Sequence, residues 1–196
     1  MTLDVFADIY RHNRWNGVES RSGPGSGSAA TARLREELVT LVQELGVRSV
    51  LDAACGDGYW MPDLPGYVGI DVAPEAIRRA QARHPDRRYA VGDVRFLPLP
   101  AFDLVISRDA MQHLPLADVT AILAAIRSSG SRWLLASTYV GGQNVDVRAG
   151  QFYCPDLTAE PFALGDPDRL IPDGYDYATP GVIRDPQKFL GLWRLS

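Results

Sequence analysis

Apolar runs alternate with amphipathic segments along most of the chain, and this alternation restricts the fold more than any other feature. Five apolar runs predict buried strands: residues 48–54, 67–71, 88–92, 102–107 and 133–138. Three segments predict helices: residues 31–45, 74–84 and 117–129. Strands that are apolar throughout and separated by helices are typical of a parallel sheet covered on both faces. The sequence therefore predicts an α/β fold with a doubly wound, mostly parallel sheet.

Both ends of the chain depart from this alternation. Residues 1–30 end in a Ser/Gly-rich stretch at 22–28. The segment is either a flexible tail or an ordered lid, and its aromatic residues favour the lid because exposed aromatic rings are costly in water. Residues 139–196 contain six prolines and seven glycines, which predicts an irregular segment over the substrate, with an edge strand at 188–195. We expect one domain over residues 31–196.

Acidic residues end three successive predicted strands. Asp52 ends the first, Asp71 ends the second 19 residues later, and Asp93 follows the third. In an open parallel sheet, ligands bind at the carboxyl ends of the strands. A carboxylate in the position of Asp71 accepts hydrogen bonds from both hydroxyls of a ribose. The sequence therefore predicts a nucleoside-binding site at this edge of the sheet.

The loop after the first strand excludes one class of nucleotide. Gly56 and Gly58 allow a tight turn and a close approach of a ligand to the backbone. A dinucleotide-binding loop needs a third glycine, but Trp60 lies where the helix would begin and no third glycine follows. An oxidoreductase that uses a nicotinamide dinucleotide is therefore not favoured.

Taken in order, these motifs resemble those of the class I S-adenosylmethionine-dependent methyltransferases over residues 47–138. The segment 50–58 is similar to the first motif, whose loop wraps the methionine part of the cofactor. Gly69-Ile70-Asp71-Val72 resembles the second, where the acid binds ribose, and Gly92-Asp93-Val94 resembles the third, which binds adenine. The segment 102–107 resembles the fourth motif, beside the sulfonium. The resemblance implies a Rossmann-like methyltransferase fold, S-adenosylmethionine as cofactor and S-adenosylhomocysteine as product.

Two features differ from the family pattern. Ala54 replaces the first glycine of the usual loop, and only eight residues, 59–66, separate Gly58 from the second strand. The helix that usually lies there must be reduced to about one turn.

A narrower resemblance is to small actinobacterial sugar O-methyltransferases of the mannoside-methylating type. It runs through segments 15–26, 55–61, 108–114 and 144–146. It implies that the Ser/Gly loop folds over the methionine end of the cofactor, where backbone amides bind the carboxylate. The residues expected to bind the cofactor are Trp15, Ser22, Gly23, Ser26, Asp52, Ala54, Gly56, Gly58, Trp60, Asp71, Val72, Asp93, Val94 and Arg108.

His113 is the candidate catalytic base. It follows the fourth strand by six residues, in the loop that faces the transferred methyl group in this fold, and an imidazole titrates near neutral pH. Alternatively, His113 caps or packs on the helix that begins near Leu116. Asp109, four residues earlier, shares a helical face with His113 and is expected to orient the imidazole. The two could also bind magnesium, but two ligands are too few, and we predict no metal site.

Five polar or aromatic residues are candidates to shape the acceptor pocket: Tyr59, Tyr139, Asn144, Asp146 and Tyr153. Ordinary loop packing explains them equally well. Such side chains suit a sugar-like or phenolic hydroxyl, and we predict O-methylation of a small, sugar-like molecule. The alternatives are a phenol, carboxylate or amine acceptor, or a protein that binds S-adenosylmethionine without catalysis.

Composition narrows the partners. The net charge of −4 and the pI of about 5.3 disfavour nucleic acid, because a phosphate-backbone binder needs a basic face. No apolar run approaches the ~18 residues of a membrane span. Cys55 and Cys154 lie too far apart for a zinc motif, so a reducing cytoplasm is expected. Enzymes of this type are often dimers, so a homodimer fits as well as a monomer.

Overall fold

A computed structural model describes residues 2–173 and 187–195 of the chain. The described residues form four α-helices and seven strands in one sheet. The helices are α1 (Thr2–His12), α2 (Ser28–Glu44), α3 (Pro74–Arg83) and α4 (Leu116–Ser128). The strands are β1 (Val50–Ala53), β2 (Tyr67–Asp71), β3 (Arg88–Val91), β4 (Leu104–Ser107), β5 (Trp133–Val140), β6 (Arg169–Pro172) and β7 (Gln187–Arg194).

The order of strands across the sheet is β3-β2-β1-β4-β5-β7-β6. Strands β1 to β5 are parallel, whereas β7 runs antiparallel to both β5 and β6. The order reverses direction at β1, so the carboxyl ends of β1, β2 and β4 lie side by side and form a crevice. The predicted fold class, a doubly wound and mostly parallel sheet, is confirmed.

The sheet is buried between two apolar layers. On one face α2 contributes Leu38 and Leu41, which cluster with Val50 and Ile106. On the other face α4 contributes Val119 and Ile126, and α1 adds Phe6 and Tyr10. Because side chains alternate along a strand, consecutive residues of β1 point into different layers. This alternation decides which strand-end residues reach the crevice.

The C-terminal part of the sheet corrects one prediction. The strand expected at 188–195 exists as β7, but it is not an edge strand, because it pairs with β5 over eight residues and with β6 on its other side. Strand β6 is the edge, and no strand was expected there. Its four residues are mostly exposed, so they carry no apolar run that would predict a strand.

The loop between β1 and β2 corrects a second prediction. Residues 54–66, all of which the structure describes, form turns and bends without the expected turn of helix. Ala54, Gly56, Gly58 and Gly66 all have positive φ angles, which a right-handed helix does not allow. The N-terminal segment differs in the opposite sense. Residues 2–12 form a helix although no helix was expected there.

Candidate functional site

A cavity opens at the carboxyl ends of β1, β2 and β4. Its walls come from α1 and the segment after it, from the strand ends, and from the loop after β4. Twenty-four residues line it: Phe6, Tyr10, Trp15, Ser22, Ser26, Ala53, Ala54, Cys55, Gly56, Trp60, Ile70, Asp71, Val72, Gly92, Asp93, Val94, Arg95, Ser107, Arg108, Asp109, Ala110, His113, Leu114 and Ile122.

Asp71, at the end of β2, is the buried carboxylate of this cavity. Its Oδ2 accepts a hydrogen bond from the Gly56 amide at 2.9 Å, and its Oδ1 accepts one from the Ala73 amide at 2.8 Å. Burial raises the pKa of Asp71 to about 6, although these amides favour the ionised form. A carboxylate has about four acceptor positions, so two amides do not saturate it. Asp71 is therefore able to accept ligand hydroxyls near neutral pH.

Gly56 is the point where the loop after β1 meets the N-terminal segment. Its φ of +60° lies in the left-handed region, and a Cβ built on it would be 2.3 Å from Ser22 Oγ and 2.7 Å from Tyr10 Oη. Any side chain here would therefore be strained and would displace both hydroxyls. The loop thus needs glycine at this position to keep the cavity in its observed shape.

Asp57 fastens the N-terminal segment to this loop. It is 2% exposed, and its carboxylate accepts hydrogen bonds from Ser20 Oγ at 2.7 Å and the Arg21 amide at 2.9 Å. Ser22 Oγ lies 3.3 Å from the same carboxylate and 2.7 Å from Tyr10 Oη. Residues 20–22 are thus held over the first loop by a buried acid that we did not predict as a site residue.

His113 lies on the cavity wall between two aromatic rings. Its ring centre is 5.1 Å from that of Trp15 and 5.8 Å from that of Phe152. Its Nδ1 is 3.0 Å from the carbonyl oxygen of Gln151, and because a carbonyl only accepts, Nδ1 carries the proton. Burial lowers the pKa of His113 below its usual value. The imidazole is therefore neutral at pH 7, with Nε2 as the basic nitrogen.

Asp109 is on the same wall but does not orient His113, which corrects the expectation. Its carboxylate pairs with the Lys188 ammonium and with Arg108, and it accepts from Ser137 Oγ at 3.4 Å. Burial alone would raise the pKa of Asp109, but Lys188 and Arg108 hold it well below its usual range. Asp109 is therefore a permanently ionised member of an ion-pair cluster.

Residues 50–129 match a family model described as a methyltransferase domain. This range contains β1 to β4 and every strand end that lines the cavity. Residues 50–129, which are 80 of the 196 residues of the chain, are therefore similar to a methyltransferase domain.

Curated relatives align with this domain and its flanks. A tRNA U34 carboxymethyltransferase of Shewanella pealeana is 32% identical over 123 residues, which are 56% of this chain and 37% of that protein. The same enzyme of Shewanella loihica is 30% identical over 126 residues, 57% of this chain and 38% of that protein. The chain spans a little over a third of the length of these curated relatives.

Solved structures share the fold at low sequence identity. The magnesium protoporphyrin IX methyltransferase of Synechocystis, solved with bound S-adenosylmethionine, covers all of this chain with a TM-score of 0.70 and 16% identity, over 98% of its own length. An S-adenosylmethionine-dependent methyltransferase of Clostridium acetobutylicum has a TM-score of 0.59 and 14% identity, over 84% of this chain and 92% of its own. At these identities the likenesses concern the fold alone.

Most residues expected to bind a cofactor line the cavity of the methyltransferase domain. Eleven of the fourteen do so: Trp15, Ser22, Ser26, Ala54, Gly56, Trp60, Asp71, Val72, Asp93, Val94 and Arg108. Three do not: Gly23, Asp52 and Gly58. A Cβ on Gly58 would lie 3.0 Å from Tyr89 Oη, and one on Gly23 would lie 3.4 Å from Trp15 Cβ. Gly58 therefore serves close packing beside the cavity, whereas at Gly23 it is the φ of +96° that favours glycine.

Asp52 points away from the cavity, into the layer that contains α2. Its Oδ2 accepts a hydrogen bond from Tyr67 Oη at 2.8 Å, and its side chain is fully buried there. Burial raises the pKa of Asp52 to about 7, and the hydrogen bond from Tyr67 only partly offsets this. Asp52 was expected to contact the cofactor, but its side chain does not reach the cavity. Asp52 and the wall residue Ala53 point to opposite faces of the sheet.

Asp93 reaches the cavity already paired. Arg95 donates to both of its carboxylate oxygens, at 2.9 Å from Nε to Oδ1 and 3.1 Å from Nε to Oδ2. Arg95 also pairs with Asp118 of α4. Burial opposes ionisation of Asp93, but the Arg95 guanidinium lowers its pKa below the usual value. Asp93 is therefore an acceptor whose position is fixed by Arg95.

None of the five residues expected to shape an acceptor pocket lines this cavity. Tyr59 donates its hydroxyl hydrogen to Glu19 at 2.9 Å, and Tyr139 donates to Gln112 at 3.3 Å. Tyr153 is buried, and its hydroxyl has no hydrogen-bond partner among the described residues.

Asn144 and Asp146 hold the loops after β5. The Asn144 amide donates to the carbonyl oxygens of Asp156 and Glu160, both at 2.8 Å. Asp146 accepts from the Leu116 amide at 2.9 Å and so caps α4. These contacts correspond to the loop-packing alternative, and neither residue lines the cavity described above.

Sequence reasoning missed several wall residues. Phe6 and Tyr10 belong to α1, and their helical spacing with Ile9 was a usable signal for an amphipathic helix. Cys55 follows β1 and Ser107 ends β4, so both lie at the carboxyl ends of strands that border the cavity. Both lie in segments that resemble family motifs, 50–58 and 102–107, but neither was predicted as a site residue.

A second, open groove adjoins the cavity. It lies between α1 and the loop that carries His113's backbone partner Gln151, and Trp15 lines both. Its lining residues are Asp4, Val5, Asp8, Ile9, Arg14, Trp15, Ala149, Gly150 and Gln151. The groove therefore offers an approach to the wall where His113 lies.

Two searches cover the described part of the chain. In residues 2–173 and 187–195, no helix is long and apolar enough to cross a bilayer. In the same ranges, no three His, Cys, Asp or Glu side chains cluster in a way that would hold a metal ion.

Proposed function

We propose that this chain transfers a methyl group from S-adenosylmethionine to a hydroxyl of a small, sugar-like molecule, with His113 as the base. The observation that carries the proposal is that one cavity of a methyltransferase domain contains both the ionisable Asp71 and the neutral imidazole of His113. The first fits the nucleoside, and the second fits an acceptor that must lose a proton.

The residues present fit S-adenosylmethionine. Asp71 would hold the ribose hydroxyls, and Asp93 with the Val94 amide would hold the adenine. Arg108 and the segment from Ser22 to Ser26 would hold the methionine end, where the side-chain-free Gly56 leaves room for close approach. When bound, the cofactor supplies an electrophilic methyl group on a sulfonium.

His113 has the protonation state that O-methylation requires. Its Nε2 would accept the proton of an acceptor hydroxyl, while Nδ1–H stays bonded to the carbonyl oxygen of Gln151. The imidazolium then releases the proton to solvent. The Trp15 and Phe152 rings limit the rotation of the imidazole. His113 therefore presents Nε2 in a fixed orientation for proton removal.

The groove beside the cavity favours a sugar-like acceptor. It combines the Trp15 ring with the apolar Val5 and Ile9 and with the paired charges of Asp8 and Arg14. An aromatic face beside hydrogen-bonding groups suits a molecule with apolar C–H faces and several hydroxyls. A planar phenol would use the ring but has a single hydroxyl with which to form hydrogen bonds to these groups.

A second candidate follows from the curated relatives, which act on tRNA. In this candidate, the same cavity receives a nucleotide of an RNA. The net charge of −4 opposes it, because binding to a phosphate backbone requires a basic surface.

Turnover with a panel of acceptors tests the proposal. Purified chain is incubated with S-adenosylmethionine and with sugars and glycosides, phenols, carboxylic acids, amines or tRNA, and S-adenosylhomocysteine release is measured. The proposal expects release with a sugar-like hydroxyl compound. Release only with tRNA would favour the second candidate, and cofactor binding without turnover on any acceptor would contradict methyl transfer.

A further inference from the structure

Four charged side chains form a buried cluster at the ends of β4, β6 and β7. Arg108 and Asp109 follow β4 and line the cavity, Asp173 follows β6, and Lys188 lies in β7. The side chains of Arg108 and Asp173 are each 2% exposed, and that of Lys188 is 16% exposed. Two cations and two carboxylates leave this cluster without net charge.

Arg108 links the C-terminal strands to the N-terminal segment. Its Nε and one terminal nitrogen donate to the two oxygens of Asp173, each at 2.9 Å. The same terminal nitrogen donates to the carbonyl oxygen of Gly25 at 3.0 Å. Its guanidinium carbon also lies 4.9 Å from the ring centre of Trp60. The planar fork of arginine matches a carboxylate in this two-bond geometry, so the position of Asp173 determines that of the guanidinium.

Lys188 neutralises the second carboxylate. Its Nζ is 2.9 Å from Asp173 Oδ2 and 2.5 Å from Asp109 Oδ1. It is the only lysine among the 20 basic residues of the chain. Without it, one guanidinium would face two buried carboxylates, which is unfavourable in a medium of low dielectric constant. Lys188 thereby holds Asp109 along the cavity wall.

We propose that Asp173 and Lys188 are positioning residues for the methyl-transfer site, an inference that rests on the proposed function. Neither residue lines the cavity. Asp173 fixes the guanidinium that faces the methionine end of the cofactor, and Lys188 fixes Asp109 beside it. Through the bond from Arg108 to Gly25, the same cluster keeps residues 22–26 in place over the cavity. The C-terminal strands thus help to build a cofactor pocket that the first four strands cannot complete.

Asp173→Asn tests this inference, with Glu44→Gln as its matched control. Like Asp173, Glu44 pairs with an arginine: its carboxylate lies 2.8 Å from Arg169 of β6. Both side chains of this pair are about half exposed, and neither lines the cavity. In calorimetric titration with S-adenosylhomocysteine, the affinity of Asp173→Asn is expected to be at least about tenfold lower than that of the wild type. This loss follows because a charge-assisted pair no longer fixes a binding group. Glu44→Gln is expected to bind as the wild type does.

A double-mutant cycle separates positioning from general stability. If Asp173 acts through Arg108, adding Asp173→Asn to an Arg108→Ala chain produces no further loss of affinity. Hydrogen exchange at the amides of residues 22–27 is expected to rise in Asp173→Asn, whereas exchange in β1 stays unchanged. An equal loss of affinity in both backgrounds would overturn the inference.

The double variant Asp173→Asn with Lys188→Gln is a second test for the case that Asp173→Asn does not fold. It removes one charge of each sign and leaves Arg108 with Asp109, so the cluster stays neutral. The inference expects this folded variant to bind S-adenosylhomocysteine as weakly as Asp173→Asn does. If the wild type binds and the variants bind equally well, this inference alone is wrong. If the wild type does not bind, the proposed function fails and the inference with it.

Discussion

The tautomer of His113 is fixed by its surroundings and not by an acidic partner. The carbonyl oxygen of Gln151 requires the proton on Nδ1, and the rings of Trp15 and Phe152 pack against the imidazole. Burial lowers the pKa of His113, so the neutral form is the major one at physiological pH. A neutral base can accept a hydroxyl proton, and this is the basis of the first prediction.

Replacing His113 by Gln is expected to lower the methyl-transfer rate by about 10²–10⁴-fold, the contribution of a positioned base. Binding of S-adenosylhomocysteine should change little. In the wild type, kcat/KM should fall as the pH drops through the pKa of His113, which lies below 6.5, because protonation removes the base.

His12→Gln is the control for this variant, since His12 is an exposed histidine bonded to Asp8. If His113→Gln retained the full rate with the best acceptor, His113 would not be a base and an amine acceptor would be favoured.

Asp52 and Asp71 end neighbouring strands, but their side chains enter different surroundings. Asp71 opens to the cavity, whereas Asp52 bonds to Tyr67 in the α2 layer. Burial raises both pKa values above the ordinary value of 3.8, to about 7 for Asp52 and about 6 for Asp71. In the range from pH 4 to 7 the folded state therefore binds more protons than the unfolded state, and these two groups favour folding more as the pH falls.

Asp52→Asn is expected to bind S-adenosylhomocysteine like the wild type and to be more stable at pH 8. The gain in free energy of unfolding should be on the order of a few kcal/mol, because a buried charge is removed while Tyr67 keeps an acceptor. The gain should shrink toward pH 5, where Asp52 is already protonated.

Denaturant unfolding of Asp52→Asn and of the wild type at pH 5 and pH 8 measures this difference. A gain that does not depend on pH would show that Asp52 is not the titrating group.

The N-terminal segment, residues 13–27, is held over the first loop mainly by hydrogen bonds of side chains. Residues 20–22 depend on the carboxylate of Asp57, and the entry to α2 depends on Glu19, which accepts from the Ser28 amide at 2.8 Å. A segment held by polar contacts, with few buried apolar side chains, has a low local opening free energy. The segment covers Gly56, so its opening would expose the cavity.

Asp57→Ala should release this segment. Limited proteolysis between residues 12 and 27 is expected to become faster and cofactor binding weaker, because Ser20, Arg21 and Ser22 lose one shared acceptor. Asp63→Ala is the matched control, since Asp63 lies in the same loop with a side chain that is 93% exposed. Equal protease sensitivity of both variants would show that Asp57 does not hold the segment.

The sequence predicts those elements whose signals are local. Helices α2, α3 and α4 and strands β1 to β5 follow from apolar periodicity and from Pro74, with ends within a few residues of those expected. The loop after β1 was harder, since positive φ at Ala54 is a property of the folded turn. Strand β6 was not predictable because its pairing with β7 depends on residues distant in the chain.

The same distinction applies to the site within the whole molecule. Strand-end motifs placed Gly56, Asp71 and Asp93 correctly in the cavity, because a parallel sheet brings strand ends together. The residues predicted for the acceptor pocket do not line this cavity, since Tyr59 and Asn144 lie in loops whose course depends on tertiary contacts. Asp173 carries no local signal and reaches Arg108 only through the C-terminal strands.

The charge of the whole chain predicts its behaviour toward RNA. With 24 acidic and 20 basic residues, the chain should not bind tRNA at physiological salt. Fluorescence anisotropy of labelled tRNA, measured from low to physiological salt, checks this. Tight binding with a steep salt dependence would instead support an RNA acceptor of the kind that the curated relatives use.

The most direct test of the account is calorimetric titration of the whole chain with S-adenosylhomocysteine, for the wild type and for Asp71→Ala. The account predicts micromolar binding by the wild type that weakens as the pH falls below about 6, where Asp71 gains a proton. It predicts loss of binding in Asp71→Ala. Absence of binding by the wild type, or equal binding by both proteins, would contradict it.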